Sequence, residues 1–324
     1  MSTQGEPDVT AGINYWSTQS ADYDGVLGGF GTGSLPRIDA LGSRQFALYL
    51  LPELSTVPSA VRPLHRPLTD QRTRALDVGA GVGRVTSDVL LPLFSDVVLA
   101  EPVECFILEA VARGRRSEND TSATAENVDP MTPWKGIKEK TKSVTFVQVT
   151  LQSLDPSHPQ TSGKYYGRIG YQSSSGDGSE SEPPSIPEDM DSGFDVIWCQ
   201  WCLGHLSGPD LVAFLKGCRL ALRDSVKGLI IVKENTCSDA PDGGSRIHLD
   251  EEDSSLTRLV RNPPRAVVER CEIGTNDANA FNLEYRSDMA FKQIFREAGL
   301  KIVYEQVQEG FPAGLYVVKM YALR

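Results

Sequence analysis

At 324 residues, 40% of them hydrophobic, the chain is long enough for one large core or two smaller ones. A formal net charge of −11, from 43 acidic residues against 32 Lys and Arg, argues against the basic face that a nucleic-acid partner needs and favours a basic partner or plain solubility. No apolar run approaches the ~20 residues of a membrane helix, and Met1-Ser2-Thr3-Gln4-Gly5-Glu6 lacks the regions of a signal peptide, so an intracellular protein is expected.

Residues 1–12 are polar and predict a disordered tail. Tyr15-Trp16-Ser17 and Asp24-Gly25-Val26-Leu27-Gly28-Gly29-Phe30-Gly31 follow, and read either as a helix and loop packed on the domain or as a lid over a substrate. Residues 38–51 have helical spacing and lead into a Pro-rich connector, 52–67. Then comes Ala75-Leu76-Asp77-Val78-Gly79-Ala80-Gly81-Val82-Gly83-Arg84, an apolar run entering an acid and then glycines at every second position. This predicts a buried strand that turns abruptly into a helix starting near Arg84, with glycine admitting positive φ and close approach of a cofactor, and free N–H groups facing an anion.

Residues 97–100 read as a second strand ending at Glu101, about 20 residues past the glycines, where nucleotide-binding folds place an acid on ribose hydroxyls. The Gly-x-Gly-x-Gly spacing departs from the dinucleotide fingerprint, which points away from a pyrophosphate. It suits S-adenosylmethionine, whose carboxylate the forked guanidinium of Arg84 can pair.

Residues 104–112 predict a helix, 114–143 an irregular polar stretch and 144–149 a third strand. Segment 155–193, with Ser173-Ser174-Ser175-Gly176-Asp177-Gly178, is expected to be a disordered acidic loop because it cannot bury enough apolar surface to offset ordering entropy. The fourth strand, 194–199, leads into Gln200-Trp201-Cys202-Leu203-Gly204-His205-Leu206, which should border the same crevice as the glycine turn. An amphipathic helix at 210–222 and a fifth strand at 228–233 follow, then Glu234-Asn235, an acidic loop through Asp250 and Asp253, and an inserted stretch at 259–285. A helix at 288–298 and strands at 301–306 and 315–322 finish the chain. Strands alternating with helices predict a single α/β domain over 13–324, its Rossmann-like sheet mostly parallel with an antiparallel edge and preceded by an N-terminal helical extension.

Several of these residues also admit plain structural roles. The six cysteines read as free thiols, since Cys199 and Cys202 lack the second pair that a zinc site needs, and no metal is expected. His205 is a core histidine or a catalytic one. Asp250 and Asp253, spaced i and i+3 near a helix start, suit capping. Trp16, Trp201 and Tyr316 are core aromatics, or the walls of a crevice for a cationic ligand.

Taken together, Tyr15-Trp16, Leu27-Gly28-Gly29-Phe30-Gly31, the 76–84 turn, Leu90-Leu91-Pro92-Leu93-Phe94, Ile197 to Leu206, Lys233-Glu234-Asn235, Asp253-Ser254-Ser255 and Tyr321-Ala322-Leu323-Arg324 resemble the alpha-N-terminal protein methyltransferases. The resemblance runs from residue 15 to 324 and leaves out 114–143, 155–193 and 259–285. It implies a class I S-adenosylmethionine-dependent methyltransferase fold. The activity it implies is methylation of the free α-amino group of proteins that begin, after Met removal, with Ala, Pro or Ser followed by Pro-Lys. Mono-, di- or trimethylated N-termini and S-adenosylhomocysteine are the products.

The resemblance further implies that Gly79, Arg84, Glu101, Leu151, Gln152 and Gln200 hold S-adenosylmethionine. Trp16, Leu27, Gly28, Trp201, His205, Asn235, Asp250, Asp253, Ser255 and Tyr316 would line the peptide channel. Methyl transfer needs a neutral amine, so Asp253 and His205 are expected to accept its proton, Asn235 to orient the nitrogen and Asp250 to pair with the third-position lysine. The implied partners are N-terminal peptides of basic proteins such as ribosomal or chromatin proteins, met by a monomer in the cytoplasm, with the nucleus as an alternative. Two rivals stand beside this expectation: a small-molecule methyltransferase, and a non-catalytic protein that binds cofactor or peptide.

Overall fold

A computed structural model describes residues 6–55, 72–119, 133–172, 192–237, 286–312 and 315–324. Among them are the strands β1 (Arg74–Val78), β2 (Asp96–Glu101), β3 (Ser143–Gln148), β4 (Lys164–Gly170), β5 (Val196–Gln200), β6 (Leu229–Thr236), β7 (Ile302–Val307) and β8 (Val317–Leu323). They form one sheet in the order β4-β3-β2-β1-β5-β6-β8-β7. The five central strands are parallel, β4 runs antiparallel to β3 at one edge, and β8 lies antiparallel between β6 and β7 at the other.

The helices are α1 (Val9–Ser17), α2 (Tyr23–Val26), α3 (Leu35–Leu50), α4 (Leu91–Leu93), α5 (Glu104–Asn119), α6 (Gly208–Leu220) and α7 (Asp288–Glu297). Successive side chains of a strand point to opposite faces, so each central strand feeds two cores. Leu76, Val78 and Val98 pack with Leu211 and Phe214 of α6 and Phe291 and Phe295 of α7. Ala75, Val97 and Leu99 pack on the other face with Ala40 and Phe46 of α3 and Ile107 and Ala110 of α5. Covering both faces is why β2, β5 and β6 carry the apolar runs 97–100, 196–199 and 229–232.

Four departures from the sequence reading have local causes. Residues 9–12, expected in a disordered tail, are the first turn of α1, because the Asp8 Oδ1 atom accepts from the Ala11 N–H at 3.0 Å and starts the helix. The helix after the glycine turn widens into a π-turn at Thr86–Leu90, with the Leu91 N–H donating to Thr86 O, just ahead of Pro92, which has no N–H to continue an α-helix. Within the segment expected to be a disordered loop, residues 164–170 form β4, paired with β3; residues 173–191 lie outside the described residues. Finally, the polar stretch 133–142 contributes to the core: Trp134 is 2% exposed and stacks on Phe146, and Ile137 is fully buried.

Trp134 also explains one of the glycines. A Cβ at Gly83, whose φ is +79°, would lie 2.8 Å from the Trp134 ring. The indole therefore seals the back of the glycine turn, and its truncation leaves a void in the core. We expect Trp134→Ala to lower unfolding free energy by about 3–5 kcal/mol, measured as a drop in urea midpoint at unchanged slope. A loss below about 1 kcal/mol would place the ring outside the cooperative core.

Candidate functional site

At the carboxyl ends of β1, β2 and β5 the structure forms a partly open cavity, where ligands of doubly wound sheets bind. Its floor is the 79–81 turn with Arg84 and Glu101, and its sides are Thr150-Leu151-Gln152 and Gln200-Trp201-Cys202 with His205. Val9, Gly12, Ile13 and Trp16 of α1, together with Val26 of α2, close it from the N-terminal side. The expected residues Trp16, Gly79, Arg84, Glu101, Leu151, Gln152, Gln200, Trp201 and His205 are thus brought together in one wall.

The glycine turn works differently from the expectation of free N–H donors. The Gly79 and Ala80 N–H groups both donate to Ala100 O, at 2.9 and 3.1 Å, and the Gly83 N–H donates to Ala80 O at 3.0 Å. The Gly81 N–H donates to Glu101 Oε2 at 2.7 Å, and the other carboxylate oxygen accepts from the Val103 N–H at 2.8 Å. With these donors satisfied internally, the turn is no phosphate cradle, and positive charge has to come from a side chain. Close approach is needed within the protein itself: a Cβ at Gly79, with φ +64°, would overlap the Cys202 Cβ, and one at Gly81, with φ +57°, would press on Val26 at 3.3 Å.

That positive charge is Arg84, and its anchor is a residue sequence reasoning missed. Asp39, fully buried in the middle of α3, accepts from Arg84 Nη1 at 2.5 Å, pairs with Lys233 Nζ at 2.6 Å and accepts from Gln200 Nε2 at 2.9 Å. Lys233 Nζ also donates to Ser43 Oγ at 2.9 Å. Burial alone would raise the Asp39 pKa, but Lys233 and Arg84 pull it down to about 2. Within this trio two cations face one anion, and Arg84, which also feels Asp77 and Asp88, is the member that reaches the wall. The available signal was a polar side chain at helical spacing with the buried Leu35, Ser43 and Phe46.

The same network constrains Gln200. Its Oε1 accepts from Trp198 Nε1 at 3.1 Å while its Nε2 donates to Asp39, so the amide is oriented and largely engaged by protein. Glu101 sits at the end of β2 with its pKa pushed up to about 7 by burial, against the Val103 and Gly81 N–H donors that favour its charge.

His205 is held in two places. Its Nε2 accepts from Trp16 Nε1 at 3.2 Å, and its backbone carbonyl accepts from Gln152 Nε2 at 2.7 Å. Burial pushes its pKa down to about 4, so at neutral pH it is an uncharged imidazole. As an expected proton acceptor it is therefore weak: its one lone-pair nitrogen is already engaged, and its basicity lies well below that of an amine. Next to it, Trp201 holds φ +55°, a left-handed conformation unusual for a bulky residue.

The remaining expected residues either do not line this cavity or fall outside the described residues. Leu27 is fully buried, Gly28 holds φ +61° in the loop after α2, and Tyr316 immediately precedes β8; none of the three lines this cavity. Asn235 is 1% exposed within β6, and strand alternation sets it on the Lys233 face of the sheet; it is not among the residues that line this cavity. Asp250, Asp253 and Ser255 lie outside the described residues, in a segment whose flanks meet at the Cys237–Ser287 bridge. Among the described residues no group of three or more His, Cys, Asp or Glu side chains is arranged to hold a metal ion, and no helix is long and apolar enough to cross a membrane.

Comparison with known proteins places this cavity in context. Residues 5–158, 185–279 and 272–324 match the family model described as AdoMet dependent proline di-methyltransferase. The Alpha N-terminal protein methyltransferase 1 of Schizosaccharomyces pombe is 32% identical over 311 residues, covering 96% of this chain and 93% of the relative. The N-terminal Xaa-Pro-Lys N-methyltransferase 1 of Danio rerio is 28% identical over 311 residues, covering 96% and 92%. A solved SAM-dependent methyltransferase from Leishmania major superposes with a TM-score of 0.56 at 26% identity, covering 97% of this chain and 82% of that one.

The Asp39 network yields a stability test. Asp39→Asn leaves Arg84 and Lys233 buried together without their anion, and should cost about 3–5 kcal/mol in urea unfolding; a loss under about 1 kcal/mol would mean that the charges behave as a surface pair. Because the folded pKa of Asp39 lies near 2, below its ordinary 3.8, its contribution is present above pH 3.8 and is lost as pH falls toward 2.

Proposed function

The chain belongs to the AdoMet-dependent proline di-methyltransferase family, and from that premise we propose that it is a protein N-terminal methyltransferase. It transfers methyl groups from S-adenosylmethionine to the free α-amino group of proteins that begin, after Met removal, with Ala, Pro or Ser followed by Pro-Lys. The observation that carries this reading is the convergence in one cavity of Gly79, Arg84 and Glu101 with Trp16, Trp201 and His205. A small-molecule methyltransferase would need the first set but not this aromatic and imidazole group at the end of β5.

The donor set fits S-adenosylmethionine. Glu101 is an acceptor at the position that ribose hydroxyls require, Arg84 is a forked cation for a carboxylate, and the Gly79, Ala80, Gly81 and Gly83 N–H groups that a pyrophosphate would use are engaged within the protein. When bound, S-adenosylmethionine supplies an electrophilic methyl group on a sulfonium. Leu151 and Gln152 border the site beside Glu101, and Gln200 serves it through Asp39 by steadying Arg84.

On the acceptor side this chain aligns and shields rather than activates. Trp16 and Trp201 offer aromatic faces that tolerate a growing ammonium. His205, neutral and hydrogen-bonded to Trp16, presents no positive charge to an incoming amine. An α-amino group has a pKa of about 7.7–8.0, so a substantial neutral fraction exists near pH 8, and Asp253 with solvent is the proposed destination of the proton. Asp250 is the proposed partner of the substrate lysine. A proline nitrogen takes two methyl groups before it is quaternary, and an Ala or Ser nitrogen takes three. The net charge of −11 supports attraction of basic substrates such as ribosomal or chromatin proteins, which would place the enzyme in the cytoplasm or nucleus.

Mass spectrometry of Pro-Pro-Lys and Ser-Pro-Lys hexapeptides incubated with enzyme and S-adenosylmethionine should show mass gains in single-methyl steps, abolished by N-acetylation. Unchanged peptides despite measurable cofactor binding would overturn the peptide assignment.

A second test is the pH profile of peptide kcat/KM. It should rise through the amine pKa, about 7.7–8.0, with no limb that His205→Asn removes, because His205 carries no proton to lose above about pH 4; a limb near 7 that persists in that variant belongs to the buried carboxylates Glu101 and Glu234. An inflection near 6.5 that disappears in His205→Asn would instead make His205 the base.

A further inference from the structure

His205 rides on a single 3-10 turn, Leu203–His205, immediately after the left-handed Trp201. So short a turn satisfies few of its own polar backbone groups, and two side chains outside the cavity wall complete it. Glu234 of β6 accepts at one oxygen, Oε1, from the N–H groups of Cys202 at 2.9 Å and Leu203 at 3.0 Å. Arg286, where the chain re-enters just before α7, donates from Nη1 to Leu203 O at 2.9 Å and from Nη2 to Leu206 O at 2.6 Å. Both residues are 0% exposed.

An acid thus holds the N–H end of the turn and a guanidinium fork its carbonyl end. The arrangement is unlike a stabilising ion pair, because both side chains direct their hydrogen bonds to the turn rather than to each other. Glu234 Oε2 and Arg286 Nε are buried without a hydrogen-bond partner. The two feel each other's charge, yet a buried acid and guanidinium are an expensive way to gain stability, and well-packed apolar residues do as well or better. What the ions supply is placement: charge-assisted bonds are short and directional, and four of them define where the turn sits. They also over-determine the strained Trp201, whose N–H donates to Lys233 O at 3.1 Å, one residue before Glu234.

We propose that Glu234 and Arg286 are positioning residues for methyl transfer, clamping the 202–206 turn so that Trp201 and His205 face the acceptor amine. This rests on the reading of the β5 end as the acceptor side. Arg84 and Glu101, assigned to the cofactor, are held separately by Asp39 and by the glycine turn, while Gln152 and Gly79 touch the clamped turn through His205 O and Cys202.

The test uses the full-length chain and Glu234→Ala, Glu234→Gln and Arg286→Lys. Glutamine keeps one oxygen for both N–H groups, whereas alanine keeps none and a lysine ammonium cannot bridge two carbonyls as a fork does. Glu234→Ala and Arg286→Lys should lower kcat/KM for the Pro-Pro-Lys hexapeptide about 10- to 100-fold, leave S-adenosylhomocysteine affinity within about 3-fold by calorimetry, and Glu234→Gln should recover most of the loss. The Trp16 indole N–H resonance, shifted downfield by its bond to His205, should move in both damaging variants and return in Glu234→Gln. Unchanged peptide kinetics, or parallel loss of turnover and S-adenosylhomocysteine affinity without rescue, would overturn the clamp. Should Glu234→Ala not fold, Arg286→Lys decides alone by the same readings. Failure of the wild-type protein to methylate the peptide would count against the functional reading instead, and the indole resonance would still test the clamp.

Discussion

One buried carboxylate ties the cofactor half of this structure together. Asp39 lies in the middle of α3, yet it reaches the helix after the glycine turn through Arg84, the end of β5 through Gln200 and β6 through Lys233. Removing ions from water is expensive, and the arrangement is tolerable only because every charge in it has close partners. The consequence is that α3 cannot shift, β5 cannot slip and Arg84 cannot swing without disturbing the others. The sheet supplies the strand ends, and Asp39 sets where the side chains on three of them point.

The glycine turn adds a second layer of coupling. Sequence pattern alone suggests that the glycines clear space for a ligand, but in the folded protein they clear space for protein. Gly79 admits Cys202, Gly81 admits Val26 of α2, and Gly83 admits Trp134. Those three contacts come from the β5 loop, the N-terminal extension and the stretch between α5 and β3. The turn is therefore where the acceptor side, the lid side and the core meet. Glu101 closes the circuit by accepting from the turn's own Gly81 N–H, so the ribose acid and the glycine loop are placed as one unit.

Much of this was legible because its signals are local. The apolar strands, the acid at the end of β2, Arg84 and the Gln200-Trp201 block announce themselves by type and spacing, and the fold brings them together in one cavity. Long-range pairing was not legible. Nothing near Asp39 in the chain shows that it will meet Lys233, 194 residues away, and nothing in Lys164–Gly170 shows that β3 has an edge to offer it. Composition misled twice in the same sense: the polar surroundings of Val9 and Trp134 hid one cap residue and one indole that were enough to order each segment. Asn235 shows how alternation adds what spacing omits: it is buried in β6 on the same face as Lys233, the side where Asp39 and Arg84 meet.

The charge pattern of the site follows from the reaction it serves. Methyl transfer from a sulfonium to a neutral amine moves one positive charge from sulfur to nitrogen and creates none. Such a reaction needs no oxyanion hole, and a strong fixed charge near the transferring methyl would favour one end of its path over the other. The residues around the acceptor side match that requirement. His205 is neutral, Trp16 and Trp201 offer only aromatic faces, and Glu234, its pKa raised to about 7 by burial against the Leu203 and Cys202 N–H donors, stands behind the turn rather than in the wall. The fixed cations nearby are engaged: Arg84, 5.4 Å from the Trp201 ring centroid, and Lys233 are both paired with Asp39. Rate in such a site comes from alignment, and alignment is what a strained tryptophan and a turn anchored at both ends are built to provide.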